Sequence, residues 1–211
     1  MKHLENLTKL FSKNLADNIL IDTYEAGELH ISSGEIIACD PLITNDKAPF
    51  LIKFPNGNFP VLIHKEKESN CIAYVEITFS KNKIEKWELA LCENQNLKDL
   101  KEGEIFGYPV KSGMGCFMDA KTQECLNHLE TRLYHRKGAD FMGIYEEFFH
   151  PSFYDSSGIF NQFAILKPDE VEPENMIAFE TGYGEGFYGT YIAFDENNKP
   201  VKIISEFIEM A

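Results

Sequence analysis

Two glycine-rich segments contain the residues best suited to chemistry. The first, residues 112–119 (S-G-M-G-C-F-M-D), places Gly113 and Gly115 beside Cys116, just ahead of a predicted helix. Backbone amides at a helix N-terminus can bind an anion and lower the pKa of a nearby thiol, which makes Cys116 a candidate nucleophile. Asp119 nevertheless has the position of a helix N-cap, and apolar residues flank Cys116. The segment therefore favours a capped helix and a buried thiol over a catalytic cysteine.

The second segment, residues 184–189, matches the dinucleotide-binding pattern G-x-G-x-x-G, and Glu206 follows where an acidic ribose partner is expected. That pattern requires a helix after the glycines, whereas residues 188–194 are typical of a strand. We therefore predict no nucleotide site and no cofactor, and expect the glycines to permit positive φ at a tight approach to a strand. The candidate ligand-binding residues of both segments are Gly113, Gly115, Cys116, Gly184, Gly186 and Tyr188.

Four loop carboxylates are the candidates for catalysis: Asp40 and Asp119 first, then Glu185 and Asp195. If their loops converged, they could hold Mg²⁺ or Ca²⁺, and the ion would lower the pKa of a bound water. The six histidines and five cysteines form no H-E-x-x-H and no C-x-x-C pattern, so we predict no metal site. The common hydrolase elbow G-x-S-x-G and the P-loop do not occur in the sequence either.

Aromatic residues allow a third interpretation, a small-molecule binding domain with an aromatic pocket. The candidates to line it are Phe148, Phe149, Phe160, Tyr183 and Tyr188. Aromatic side chains are usual in ligand pockets, but they are more common still in cores.

The elements that must position these residues are mostly strands. Leucines at helical spacing predict an amphipathic helix over residues 3–16. Short β-branched and aromatic runs then predict strands at 19–23, 28–32, 34–39, 50–54 and 59–64. Residues 71–79 and 84–91 flank the polar link 80–83 and predict a hairpin, with Trp87 in the core.

Helices interrupt the strands only in the middle of the chain. Leu126, Leu129, Leu133 and Tyr134 form one stripe of a predicted helix, and a second short helix is expected over residues 140–149. One strand is predicted to lead through 108–110 into 112–119. Further strands are predicted at 162–166, 176–180, 186–194 and 201–207, the last two joined by a turn. Few helical crossovers are available for parallel pairing. The fold class is therefore α+β, with a mostly antiparallel β-sheet, an N-terminal helix and one or two helices between residues 120 and 150.

Composition limits the classes of partner. The chain has 211 residues, 44% of them hydrophobic, which suits a single domain over 1–211 made of an N-terminal helix (1–18) and a β-rich body (19–207). Twenty basic and 34 acidic residues give a net charge of −14, which repels nucleic acids and anionic membranes. Five cysteines without regular spacing, and no signal-peptide pattern, predict a cytoplasmic protein with reduced thiols.

Several motifs in order resemble the bacterial domain-of-unknown-function 4241 family. They are Gly27-Glu-Leu29, residues 33–42 (S-G-E-I-I-A-C-D-P-L), Phe59-Pro-Val61, residues 73–79, Trp87–Ala90, residues 112–119 and residues 182–188, continuing to Asp195 and Phe207. The resemblance covers residues 25–207 and implies one fold over that length. It assigns no activity and no catalytic residue. This chain has Glu185 and Gly189 where the family pattern leads us to expect aspartate and proline.

These observations favour a non-enzymatic, acidic binding protein of the bacterial cytosol. Its negative field would attract a basic protein partner, as an immunity-type inhibitor attracts a basic toxin. The alternative function is a small hydrolase that uses a divalent metal and the four loop carboxylates.

Overall fold

The computed structural model describes residues 2–11, 18–43 and 47–210. Its eleven strands are β1 (Ile21–Ile31), β2 (Ile36–Cys39), β3 (Gly57–Glu66), β4 (Ile72–Thr78), β5 (Lys86–Leu89), β6 (Tyr108–Val110), β7 (Met114–Asp119), β8 (Phe163–Leu166), β9 (Met176–Glu180), β10 (Gly186–Phe194) and β11 (Pro200–Glu206). Its α-helices are α1 (Lys2–Leu10), α2 (Ala120–Lys137) and the single turn α3 (His150–Ser152). The predicted α+β class and the N-terminal helix are confirmed.

The strands form two antiparallel sheets. The larger has the order β1-β3-β4-β11-β10-β5, and β6 also pairs with β10. The smaller has the order β2-β7-β9-β8. No helix of the described ranges has both the length and the apolar character that crossing a bilayer requires.

The sheets lie face to face and each is covered on its outer side. Ile63 of β3, Ile77 of β4, Phe117 of β7 and Phe179 of β9 belong to one buried cluster between the two sheets. On the outer face of the larger sheet, Leu7 of α1 packs in a second cluster that includes Trp87, as predicted for that residue. A third cluster joins the outer face of the smaller sheet to α2 and the segment 144–153. The molecule thus has four layers, helix, sheet, sheet and helix.

The predicted hairpin of residues 71–79 with 84–91 is wrong. Both strands exist, as β4 and β5, but β4 pairs with β3 and β11, and β5 pairs with β10. Strands β10 and β11 therefore lie between them in the sheet. The polar residues 80–83 suit a turn, but a turn sequence does not decide which strands form the backbone hydrogen bonds with β4 and β5.

Three other strand predictions also differ from the structure. Residues 108–119 form two strands instead of one continuous strand, with β6 in the larger sheet and β7 in the smaller. The two strands expected at 19–23 and 28–32 are one strand, β1, with a register shift between Glu25 and Gly27, where Gly27 has φ +126°. A β-bulge bends a strand without ending it, so turn-like residues at this point do not separate two strands. No strand forms over residues 50–54, where Phe50 makes only an isolated bridge to Cys92.

The helices also differ in part. Helix α1 ends at Leu10, and residues 12–16 of the predicted helix lie outside the described residues. Tyr134, predicted on the buried stripe of α2, is 58% exposed. The helix expected over 140–149 is a 3-10 turn at Gly138–Asp140 and a π-helical turn at Tyr145–Phe149 that continues into α3.

Candidate functional site

Asp119 closes one end of the β2/β7 strand pair. Its side chain is fully buried. Oδ2 accepts hydrogen bonds from the backbone amides of Ser32 and Ser33 at 3.1 and 2.9 Å. Oδ1 accepts from the Ser33 hydroxyl at 2.8 Å and from the Lys121 amide at 3.0 Å, which makes Asp119 the N-cap of α2. Four donors therefore hold this carboxylate, and the N-cap predicted from the sequence is present.

Asp40 closes the opposite end of the same pair with the same contacts. Its Oδ2 accepts from the amides of Lys111 and Ser112, both at 2.9 Å. Its Oδ1 accepts from the Ser112 hydroxyl at 2.8 Å and from the Leu42 amide at 2.9 Å. We call each arrangement a Ser-Gly clamp, the first formed by Asp119 with residues 32–34 and the second by Asp40 with residues 111–113.

The two clamps share a sequence pattern that was not among the predicted functional motifs. Residues 33–40 (S-G-E-I-I-A-C-D) and 112–119 (S-G-M-G-C-F-M-D) both follow S-G-x5-D. Because β2 and β7 are antiparallel, the aspartate that ends each copy meets the Ser-Gly turn that begins the other. The repeated spacing was the available signal for this reciprocal arrangement.

The four carboxylates proposed for metal-dependent hydrolysis do not come together. The register pairs Ile36 with Asp119 and Cys39 with Cys116, so the two clamps are about four residues, or ~13 Å, apart along the strands. Glu185 is exposed. Asp195 lies in the β10–β11 turn, where hydrogen bonds from the Lys199 amide and then the Asn82 side chain lower its pKa. The described part of the chain contains no group of three His, Cys, Asp or Glu side chains arranged to hold a metal ion.

Cys116 and Gly115 lie inside the smaller sheet and away from the surface. Cys116 is fully buried and directly opposite Cys39, with 3.6 Å between the two sulfur atoms. Burial raises the pKa of the Cys116 thiol well above its usual value, and the hydrogen bond with Cys39 adds to this. A Cβ on Gly115 would lie 2.6 Å from the Phe179 ring, so close packing explains this glycine. All five cysteines are free thiols.

The two glycine-rich segments meet in one cleft. Gly113, with φ +78°, accepts hydrogen bonds at its carbonyl from the Thr181 amide and hydroxyl at 3.0 and 3.1 Å. A Cβ on Gly113 would lie 3.9 Å from the Cα of Gly184, and no atom lies within 4 Å of the corresponding position on Gly184. Bare backbone therefore lines one wall of a cleft of about 430 Å³, which we call the glycine cleft.

Aromatic side chains and one carboxylate form the rest of the glycine cleft. The complete lining is Cys71, Ser112, Gly113, Met114, Tyr145, His150, Phe153, Phe160, Glu180, Thr181, Gly182, Tyr183 and Gly184. Of the aromatic residues considered in the sequence, Phe160 and Tyr183 line it. Phe149 is fully buried in the core, while the Tyr188 hydroxyl donates to the Gly184 carbonyl at 2.8 Å and supports the turn. Gly186 begins β10 and lies outside the lining.

The match to G-x-G-x-x-G does not form a nucleotide site. Gly184 has φ +102° and lies in the turn, but Gly186 and Gly189 belong to β10, where a helix would be required. The strand that follows these glycines agrees with the sequence prediction.

A second depression, which we call the acidic groove, lies between α2 and residues 169–174. It has a volume of about 310 Å³ and is lined by Lys121, Glu124, Cys125, His128, Arg132, Asp169, Glu172 and Glu174. Glu174 is 6% exposed, and its Oε1 accepts from the Ser32 hydroxyl at 3.0 Å. Its Oε2 has no hydrogen-bond partner among the described residues. Burial, followed by the charges of Glu174 and Asp169, raises the pKa of the Cys125 thiol, as expected in a negative environment.

The fold and the two depressions define an α+β protein with face-to-face antiparallel sheets and an open cleft at one end of a doubly clamped strand pair. Residues 29–205 match the family described as a protein of unknown function (DUF4241), and the chain belongs to that family. The resemblance found in the sequence motifs is thus confirmed. Neither the curated proteins nor the solved structures include a match to this chain.

Proposed function

We propose that this protein is a non-enzymatic binding protein and that the glycine cleft is its small-ligand site. The observation that carries the proposal is the meeting of Gly113 and Gly184, which exposes bare backbone within a cleft whose other walls are aromatic. Ligand pockets commonly combine a volume of ~300–1,000 Å³, apolar and aromatic walls and a few polar groups. The glycine cleft has all three features.

The nucleophile-type side chains of the glycine cleft support binding over catalysis. The Ser112 hydroxyl donates to Asp40 and so belongs to the second clamp. The Cys71 thiol donates to the Ser69 carbonyl at 3.6 Å. Covalent catalysis needs a base within hydrogen-bond reach of the nucleophile. Both side chains are instead engaged in local structure.

Protection of Cys71 from alkylation tests the ligand site. Cys71 lines the glycine cleft, whereas Cys125 lies in the acidic groove and provides an internal control. A ligand at ~10 times its Kd should slow iodoacetamide labelling of Cys71 about tenfold and leave the Cys125 rate unchanged, as measured by peptide mass spectrometry. A panel of cationic, anionic and neutral fragments in which none protects Cys71 with a Kd below about 1 mM would contradict the proposal.

The acidic groove favours a second function, recognition of a basic protein partner by an immunity-type inhibitor. A buried carboxylate oxygen without a partner has a cost that a cationic side chain could relieve. Glu174, one of the acidic residues that line the groove, has such an oxygen, and the net charge of −14 would accelerate the approach of a cationic protein. This function uses a different face from the glycine cleft and does not exclude ligand binding there.

A labelled oligoarginine peptide tests the acidic groove by fluorescence anisotropy. The groove variant carries E124Q, E172Q and E174Q, and the control, with the same change in net charge, carries E93Q, E102Q and E196Q. We expect about tenfold weaker binding for the groove variant, since each charge pair at the exposed Glu124 and Glu172 is worth ~0.2–1 kcal/mol and the buried Glu174 adds to their effect. The control should change affinity no more than about twofold. Equal losses in both variants would show that only net charge attracts the peptide.

A further inference from the structure

We infer that the glycine cleft selects a small organic cation, of the quaternary ammonium class, over neutral molecules of the same shape. This inference rests on the proposed function, because it requires the cleft to be a ligand site. It goes further by assigning the chemical class of the ligand from the rings and charges around the cleft.

Aromatic rings surround the cleft and several remain open to solvent. Tyr145 is 39% exposed, Phe160 is 45% exposed and Tyr183, in the glycine-rich turn, is 73% exposed. The exposed part of each ring is surface that a bound ligand could contact. The face of an aromatic ring carries partial negative charge, so it attracts a cation by ~0.5 kcal/mol at an exposed site and ~2 kcal/mol when the cation is desolvated.

Ring contacts hold much of this wall in place. His150 packs between Tyr145 and Tyr154, with ring centroids 5.7 and 5.2 Å apart, and Phe160 stacks on Phe153 at 5.9 Å. Tyr154 also contacts Phe160 edge to face at 5.5 Å. These residues come from α3, the π-helical turn before it and the loop that follows. A wall with rings already in contact loses little conformational entropy when a ligand binds.

The charges at the cleft favour a cation over an anion. Of the described residues that line it, Glu180 has a carboxylate and none is a lysine or arginine. A second carboxylate contacts the lining, since the Tyr183 hydroxyl donates a hydrogen bond to Oε2 of Glu66 at 3.4 Å. Lys65 interacts electrostatically with Glu180 and Cys71, but it is not among the lining residues, and its ammonium lies over the Tyr24 ring, 5.2 Å from the ring centroid. A carboxylate together with exposed aromatic rings is a combination that can recognise quaternary ammonium groups.

Choline and its neutral carbon isostere, in which carbon replaces the ammonium nitrogen, separate charge recognition from shape. Both compounds are titrated into the full-length protein by calorimetry, with Cys71 protection from alkylation as the site-specific readout. We expect choline to bind at least about tenfold more tightly than the isostere, equivalent to ~1.4 kcal/mol. Choline should also protect Cys71 and leave Cys125 unprotected.

Matched variants locate the interaction. E180Q and Y145L should each weaken choline binding at least about threefold, because one removes the carboxylate and the other an aromatic face. The controls E185Q and Y134L change an exposed carboxylate and an exposed ring outside the lining, and they should leave the affinity unchanged. Thermal unfolding of each variant shows whether the fold is retained.

The outcomes distinguish this inference from the proposed function. If both compounds bind with equal affinity and protect Cys71, the cleft is a ligand site but the inferred cation selectivity is wrong. If neither protects Cys71 while another fragment does, the ligand class is again wrong and the proposed function stands. If no compound of any charge protects Cys71, both fail. Equal losses of choline affinity in E180Q and E185Q would show that choline responds only to the negative charge of the surface, and this would overturn the inference.

Discussion

The two Ser-Gly clamps are the same structure in different surroundings. In the first, Gly34 is buried, its carbonyl accepts from the Phe54 amide at 2.9 Å, and a Cβ added to it would lie 2.7 Å from the Phe54 carbonyl oxygen. In the second, Gly113 is half-buried and its carbonyl accepts from Thr181. The segment that covers the first turn, residues 54–56, fills the space above it. The glycine-rich segment 181–184 covers the second turn and leaves a cleft.

This difference separates structural carboxylates from a site. Asp40 and Asp119 are each satisfied by four donors, so neither has capacity left for a substrate or ion. The glycine cleft lies beside the second clamp because Gly113 and Gly184 have no side chains to fill this space. Asp40 and Asp119 therefore fix the two ends of the β2/β7 strand pair, and the glycines beside Asp40 border the glycine cleft.

Removing either clamp carboxylate should have the largest effect. Asp119→Asn and Asp40→Asn each replace one acceptor oxygen by an amide that faces backbone N–H donors. Buried donors left without acceptors cost ~1–3 kcal/mol each, so we expect a loss of about 3 kcal/mol in the free energy of unfolding for either variant. Urea denaturation measures it.

The same pair of variants tests the comparison between the clamps. Only Asp40 holds the Ser112 turn that borders the glycine cleft, so D40N should also reduce ligand protection of Cys71, while D119N should not. D119N serves as the control with equal destabilisation. If both variants lost protection equally, the second clamp would have no particular role in positioning the cleft.

A third buried carboxylate, Glu76, is held by the side chains of His64, Thr78 and Lys202 instead of by backbone amides, and its protonation should reduce the stability of the protein in acid. Burial alone would raise the pKa of Glu76, but the His64 hydrogen bond at 3.3 Å and then Lys202 at 2.7 Å lower it to about 2. A lowered folded-state pKa contributes stability that is complete above the unfolded-state value and is lost as pH falls toward 2.

The free energy of unfolding should therefore fall less between about pH 4.5 and 2 in Glu76→Gln than in the parent protein. The difference is about 3 kcal/mol if the whole lowering of the Glu76 pKa contributes to stability. Urea denaturation at a series of pH values gives the two slopes. Parallel slopes would show that Glu76 does not contribute to the acid sensitivity.

Alanine at the two turn glycines should distinguish the packed clamp from the open one. Both residues have positive φ, +75° and +78°, which costs ~1 kcal/mol for alanine. Gly34→Ala adds a clash with a backbone oxygen, so we expect about 2–3 kcal/mol of destabilisation there and about 1 kcal/mol for Gly113→Ala. Thermal or urea unfolding compares them, and equal losses would mean that the first turn is not packed more tightly.

The smallest expected effect concerns the turn that opens the cleft. Tyr188→Phe removes the hydrogen bond from the phenol to the Gly184 carbonyl and retains the ring, which packs on Phe207 with centroids 5.0 Å apart. A single hydrogen bond is worth ~1 kcal/mol, so we expect a small loss of stability and weaker ligand protection of Cys71. Tyr24→Phe, at an exposed ring of the larger sheet, is the control. Unchanged protection would indicate that the turn holds its conformation without Tyr188.

The elements were predictable to the extent that local signals decide them. Strand β9 has the predicted bounds, Met176–Glu180, because β-branched and aromatic residues between polar stretches suffice to define it. The partner of β4 was not predictable from its neighbour in sequence. Both faces of the larger sheet are covered, by the smaller sheet and by α1, so alternation of polar and apolar residues gives no information on which strands are adjacent.

The candidate site was predictable in its parts but not in its assembly. Gly113 and Gly184 were identified as ligand candidates, and the structure brings both to one cleft. Tyr145 and Glu180 were not identified, since neither belongs to a motif. The S-G-x5-D repeat is visible in the amino-acid sequence, and it would have assigned Asp40 and Asp119 to the turns of a strand pair.

The amino-acid sequence by itself determined the α+β class, the family, the N-cap of α2 and the negative charge, because propensity, composition and short motifs depend on residues close together in the chain. Only the tertiary structure decided that Asp40 and Asp119 hold opposite ends of one strand pair, that β4 and β5 are separated, and that residues 112–114, 145–160 and 180–184 surround one cleft. Those outcomes depend on contacts between residues far apart in the chain, whose loop-closure entropy is offset only when the two sheets and their covering helices pack together.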